Sequence, residues 1–243
     1  MISLSFDTDH IDEERMREFL DTVRIPGRGT FFCTQTYEAL GEPHELGPHV
    51  RLDAGAPEWE AALDAGREWF PDAVGFRAHG CVAGHWLSAQ VAARGYTYIT
   101  SQDVFGAPSP GPFREAWGVW HVPIYYMETL DLAFAENWPD RPHQPFSDEL
   151  IERAISSDEL CVFVFHPIHL LLNSESVEGY VSRRKALLEG SSSEEARHDG
   201  TGARTFYDRL VDEMEAAGIS SATLAEVVRD AAGTTLADAR GRA

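Results

Sequence analysis

Lysine is nearly missing from this chain. Lys185 is the only one in 243 residues, and every other basic side chain is an arginine. Basic residues total 20 against 40 acidic ones, a formal net charge of -20. That balance argues against nucleic acid or an anionic membrane as partner, because both need a basic surface. Cysteine is scarce as well: Cys33, Cys81 and Cys161 are three and far apart. An odd, scattered set is no disulfide framework and reads as reduced thiols in an intracellular protein. No apolar run approaches the ~18 residues of a membrane span. No charged stretch followed by an apolar one opens the chain. These absences lead to the expectation of a soluble, cytoplasmic protein without membrane insertion; the oligomeric state is left open.

What is present is enough apolar material for a sizeable core, 43% of the residues, in an alternation of strand and helix patterns. Ile2, Leu4 and Phe6 alternate with Ser3 and Ser5, the period of a strand, and the run stops on Asp7, Asp9 and His10. Residues 11–23 place Ile11, Met16, Phe19, Leu20 and Val23 on one helical face, with acidic residues in the first turn. Strands are expected at 29–32, around 45–49, at 74–76, 96–99, 119–126 and 160–165, and a last short one at Ile219. Pro123 weakens the 119–126 strand. Helices are expected at 34–40, 57–70, 87–93, 148–155, 206–217 and 222–231. Residues 102–117 and 138–146 read as long loops, 190–202 as a mobile stretch, and 233–243 as a frayed tail beyond a single domain spanning 1–232. Such alternation means a parallel sheet covered by helices. Polar residues gather at nearly every strand end: Asp7/Asp9, His49, Arg77/His79, Ser101/Asp103 and His166. A closed barrel lets all of them converge, whereas an open sheet uses only strands at its switch point.

Several of these residues suit catalysis. Asp7 and Asp9 are two carboxylates on one short turn, able to divide work between a cation and a proton; the plainer alternative is a helix cap. His49 and Asp53 are four apart, which on a helical turn puts both on one face where they can grip one cation; a surface His/Asp hydrogen bond is the alternative. Arg77 can pin a carboxylate through two parallel N–H bonds or form an ordinary ion pair. His166 ends the most apolar strand and is a candidate acid or base, with His169 close behind. Glycines before Arg204 at a helix start can bind an anion or simply lead into the helix. Trp117, Trp120, Tyr125, Tyr126 and Trp138 gather around the two long loops, as sugar-stacking faces or as core.

Taken together, the pieces resemble the polysaccharide deacetylases, carbohydrate esterase family four. Ser5-Phe-Asp-Thr-Asp9 looks like the family's first motif. Gly29-Thr-Phe-Phe32 looks like its second strand. His44-Glu-Leu-Gly-Pro-His49 with Asp53 looks like its second motif, Gly75-Phe-Arg77 like its third, and Phe163-Val-Phe-His166 like its last. They occur in the family's order over residues 2–225. The resemblance implies a single-domain α/β fold, a distorted (β/α)7 TIM-like barrel. It implies a divalent metal, commonly zinc, and hydrolysis of an N-acetyl group on a sugar. Carried onto this sequence, Asp7 is the base, Arg77 orients it and His166 is the general acid; Asp9, His49 and Asp53 hold the metal. Two departures matter. Thr8 separates aspartates that are adjacent in the family, leaving open which of them meets the metal. Asp53 stands where the family has a second histidine, a harder donor that suits zinc and other divalent ions. The expected activity is metal-dependent removal of acetyl from an N-acetylated sugar or glycan, an intracellular intermediate of surface-polysaccharide assembly. The rivals are a metal-independent amidohydrolase on a small C–N substrate and an inactive barrel that binds a glycan or a protein.

Overall fold

The computed structural model describes residues 1–52, 56–137 and 143–240. In chain order the elements are β1 (Ile2–Asp7), α1 (Glu13–Thr22), β2 (Gly29–Cys33), β3 (Glu45–Val50), α2 (Ala56–Trp69), β4 (Gly75–Ala78), a 3₁₀ turn (His79–Cys81), α3 (His85–Ala93), β5 (Tyr98–Ile99), β6 (Phe113–Arg114), β7 (Trp120–His121), β8 (Tyr126–Met127), α4 (Glu128–Asn137), α5 (Asp148–Ser156), β9 (Cys161–Phe165), α6 (Pro167–Leu172), α7 (Val177–Leu188), α8 (Ser193–Ala196), α9 (Ala203–Ala216) and α10 (Leu224–Arg240).

The nine strands form one sheet in the order β6-β7-β5-β4-β3-β2-β1-β9-β8. All pairings are parallel except β6 on β7. The strand expected at 119–126 is split, and Pro123 explains the split: it has no N–H to give to a ladder. Before it, Val122 N–H bonds the Ile99 carbonyl at 3.0 Å, continuing the pairing with β5; after it, Tyr125 N–H bonds the Val162 carbonyl at 2.9 Å, on β9. One interrupted strand thus joins the two flanks of the sheet. Counting β7 and β8 as one, the parallel strands are the seven of a distorted (β/α)7 barrel.

Both faces of β1 are buried, including Ser3 and Ser5. Phe6 packs toward the helices, its ring 5.4 Å from Phe19 and 6.2 Å from Tyr207. The alternate residues face the barrel interior, where Ser5 Oγ accepts from Arg77. A second apolar cluster of Phe32, Tyr98, Val162, Leu224, Val227 and Val228 brings α10 against the strands. The first N–H groups of α10 are capped from the barrel: Leu224 N–H by Thr30 Oγ1 and Ala225 N–H by Glu45 Oε2, both at 2.9 Å. Thr30 and Glu45 belong to the starts of β2 and β3, so α10 covers the N-terminal end of the barrel. The C-terminal ends of the strands carry the remaining polar groups.

Some expectations change in the structure. Residues 34–40 form turns, not a helix: Thr34 instead bonds Thr8 through both its N–H and its hydroxyl. Residues 190–202 contain α8, whose Ser192 and Glu195 make a reciprocal capping box. The last helix continues past Gly233 to Arg240. Ile219 starts no strand; Ser221 makes a single bridge to Gly27. The helix start at Arg204 receives no free anion, because the Asn173 side-chain carbonyl accepts from the N–H groups of Arg204 and Thr205 at 3.0 and 3.2 Å. Tyr125 and Tyr126 are core, Trp117 is exposed, and Trp138 lies outside the described residues. The three cysteines are free, and Cys33 and Cys161 are buried. Among the described residues no helix is long and apolar enough to cross a membrane.

Candidate active site

β1 delivers Asp7 on its last residue, and Thr8 then turns the other way, its carbonyl accepting from Thr34 and Tyr37. Asp9 is thereby returned to the same side as Asp7. β3 brings His49 beside Arg77 of β4, which is its register partner. His49 therefore lies in extended chain, so the helical spacing expected to link it with Asp53 does not apply to it. Asp53 itself lies outside the described residues.

Asp9, His49 and His79 offer one donor atom each, all within 4.8 Å of one another. His49 Nε2 approaches Asp9 Oδ2 to 3.0 Å, and His79 Nδ1 approaches Asp9 Oδ1 to 3.0 Å. Neither Asp9 Oδ2 nor His79 Nδ1 is engaged in an aligned hydrogen bond. His49 Nδ1 faces the Arg77 carbonyl at 3.2 Å, a contact that only an N–H can make, and this turns Nε2 toward Asp9. A carboxylate oxygen and an imidazole nitrogen thus face one another across a buried gap. A divalent cation fits that arrangement, and the Nδ1–H to carbonyl bond is the usual outer support of a metal-binding histidine. The Asp/His/His donor set suits zinc among other divalent ions.

Asp7 is separate from this cluster in its bonding. Arg77 Nη1 donates to its Oδ1 at 2.7 Å. The guanidinium is fully buried and spends its other donors on the Thr100 carbonyl, Thr100 Oγ1 and Ser5 Oγ, with its plane 4.4 Å over the Phe32 ring. Burial works against ionising Asp7, but the charge of Arg77, aided by His49 and His166, holds its carboxyl below the usual range. Asp9 behaves likewise: burial opposes ionisation, and the imidazoles of His49 and His79 override it.

His166 follows β9 and is the N-cap of α6. Glu128, fully buried at the start of α4, accepts from its backbone N–H at 2.6 Å and its Nδ1 at 2.8 Å. Nε2 is left facing the cluster, 3.7 Å from Asp9 Oδ2. Burial lowers the pKa of this ring, but the Glu128 carboxylate outweighs it, with Asp7 and Asp9 adding, and raises it to about 9. His169 is different: it is buried with its ring 4.1 Å from that of Tyr180, and burial, reinforced by the charge of His166, keeps it well below the ordinary value.

The site so built brings together Asp7, Asp9, His49, Arg77 and His166, all expected from the sequence. It adds two residues with roles that sequence reasoning did not assign. His79 was visible only as a polar residue past a strand end; its spacing of two from Arg77 was the available signal. Glu128 had none, because β8 before it is two residues long. The cleft of about 380 Å³ that includes Glu45 and Phe70 lies at the opposite end of the barrel.

A (β/α)7 barrel with a carboxylate–imidazole cluster at the C-terminal ends of its strands has the frame of a barrel hydrolase, and the family match makes the class a polysaccharide deacetylase. Residues 4–184 match the WbmS-like polysaccharide deacetylase family, and the chain belongs to it. The family's chemistry is hydrolysis of an acetamide carbon–nitrogen bond. No curated protein matches the sequence. Among solved structures, the fold is similar to a Bordetella bronchiseptica protein described as a polysaccharide deacetylase involved in O-antigen biosynthesis. That pair has 22% identity and a TM-score of 0.71, over 87% of this chain and 90% of that one. A variant of the peptidoglycan deacetylase PdaC from Bacillus subtilis aligns over 100% of this chain and 96% of its own, with 12% identity and a TM-score of 0.50. A family 4 carbohydrate esterase from Streptomyces lividans shares 12% identity over 90% of each chain, with a TM-score of 0.47.

Proposed function

We propose that this chain is a metal-dependent deacetylase that removes acetyl from an N-acetylated sugar, an intracellular intermediate of surface-polysaccharide assembly. One observation carries the reading: donor atoms of Asp9, His49 and His79 converge, Asp9 Oδ2 and His79 Nδ1 without aligned hydrogen bonds, beside the braced carboxylate of Asp7. The similarity to the Bordetella protein supports the place in polysaccharide assembly. Asp9, His49 and His79 would hold the ion, with Asp53, which the family resemblance suggests, as a further carboxylate. A bound divalent ion, zinc by this donor set, supplies polarisation of the acetamide carbonyl and a more acidic water.

The chain's own residues do the rest. Asp7 is ionised and oriented by Arg77, so it can take the proton of the attacking water. His166 carries a proton on Nε2 at neutral pH, because its other nitrogen is paired with Glu128 and its pKa is raised to about 9. It delivers that proton to the departing amine.

Acetate release from N-acetylhexosamines, before and after chelation, tests the reading. The expected result is a stoichiometric metal content, and turnover that is lost with the metal and restored with it. Equal rates in the chelated chain would favour a metal-independent amidohydrolase. No turnover by the metal-loaded chain on any acetylated sugar would favour a binding barrel.

A further inference from the structure

In a molecule with 40 acidic and 20 basic side chains, arginines are readily claimed by carboxylates. Arg24 pairs with Asp212 and Glu215, and Arg204 with Asp208. Arg184 on α7 is unlike them. Its Nη2 lies 3.1 Å from His10 Nδ1, and it contacts no carboxylate among the described residues.

The place of this pair matters. His10 directly follows Asp9, so the Arg184 guanidinium lies at most about 10 Å from the Asp9 backbone, the span of one substituted sugar. His10 is held in the left-handed region, with φ of 58°, a strained conformation for a non-glycine residue that recurs at ligand sites. His10 and Arg184 line an open cleft of about 260 Å³ together with Ile11, Ile168, Leu188 and the Arg15–Asp12 ion pair, which leaves Arg184 as the guanidinium there without a carboxylate partner among the described residues. Ile168 is two residues past His166, so the cleft begins where the carboxylate–imidazole cluster ends. On the β3 side, exposed Arg51 is two residues past His49.

A net charge of -20 repels anions at long range. Guanidinium groups at the mouth of a site reverse that locally, and their fork of N–H donors matches a carboxylate or phosphate. We propose that the substrate sugar carries an anionic group, a carboxylate or a phosphate, and that Arg184, backed by His10, binds it while the acetamide lies at the Asp9/His49/His79 cluster. This rests on the deacetylase reading above.

Binding is measured by calorimetry on the full chain, with and without zinc. The probes are N-acetylglucosamine, N-acetylglucosaminuronic acid and N-acetylglucosamine 1-phosphate. At least one charged sugar should bind about tenfold tighter than the neutral one, and Arg184→Gln should reduce that preference to within about a factor of two. Arg184→Lys should keep part of it, since the charge remains and the fork does not. Which charged sugar is preferred separates a uronate from a phosphate ester. Equal binding of charged and neutral sugars by the wild type overturns the proposal. So does a preference that survives Arg184→Gln intact, or failure of both charged sugars to bind. Should Arg184→Gln not fold, the wild-type comparison and Arg184→Lys still decide. Acetate release is followed separately. A charged-sugar preference with no release from any probe would leave the anion site standing and remove the deacetylase.

Discussion

Arg77 Nη1 lies 2.7 Å from Asp7 Oδ1, with both side chains buried and the arginine wholly enclosed by the barrel. The two residues are 70 apart in the chain, and their contact joins β1 to β4 across the interior. Ser5, two residues before Asp7 on the same strand face, takes another of the guanidinium donors.

Removing one partner of a buried ion pair leaves the other uncompensated. Arg77→Met should therefore destabilise the fold by about 3–5 kcal/mol in chemical denaturation. Asp7→Asn combined with Arg77→Met should recover part of that loss, because no buried charge is left. A double variant as unstable as Arg77→Met alone would mean that packing of the guanidinium on Phe32, not charge, dominates.

Asp7 and Asp9 should separate cleanly. Asp7→Asn is expected to retain metal and lose nearly all turnover, whereas Asp9→Asn is expected to lose metal. Metal content and acetate release on the same preparations decide between this assignment and its reverse.

His79→Ala should weaken zinc binding by at least about 100-fold, a larger loss than removal of an outer-shell support usually brings. Dialysis against limiting zinc, followed by metal analysis, provides the measurement. If Asp53→Ala empties the site and His79→Ala does not, the ligand set suggested by sequence spacing is the correct one.

Glu128 sets the protonation of His166. In the metal-free chain the folded pKa is raised to about 9 from an ordinary ~6.5. The pairing therefore contributes stability fully present below pH ~6.5 and lost as pH rises through about 9. Glu128→Gln keeps an oxygen acceptor and removes the charge. The NMR titration midpoint of His166 should fall back toward ~6.5 or below, and the loss of stability between neutral and alkaline pH should shrink. An unmoved midpoint would exclude Glu128 as the cause.

His166→Ala should lower kcat/KM by on the order of 10²–10⁴ with metal content unchanged. His169→Ala should leave the chemical step alone, since that ring is packed on Tyr180 and kept neutral by burial. The opposite pattern would exchange their roles.

The sequence by itself determined what is local. A period-two apolar run marked β1, a continuous apolar run marked β9, and the 3.6 period marked α1 and α9, because side-chain direction follows from backbone geometry alone. Polar residues at strand ends identified Asp7, Asp9, His49, Arg77 and His166 as a set. Tertiary structure decided what depends on pairing between distant segments. Pro123 split one strand so that its halves met β5 and β9, and the site of that split put Glu128 behind His166. Whether His49 was helical or extended depended on β3 finding β2 and β4, since its own neighbours allow either. His79 joined Asp9 because it opens the 3₁₀ turn directly after β4, at the strand end that faces β1 and β3. Residue spacing encodes distance along one element, whereas the geometry of this site is set by the register between several.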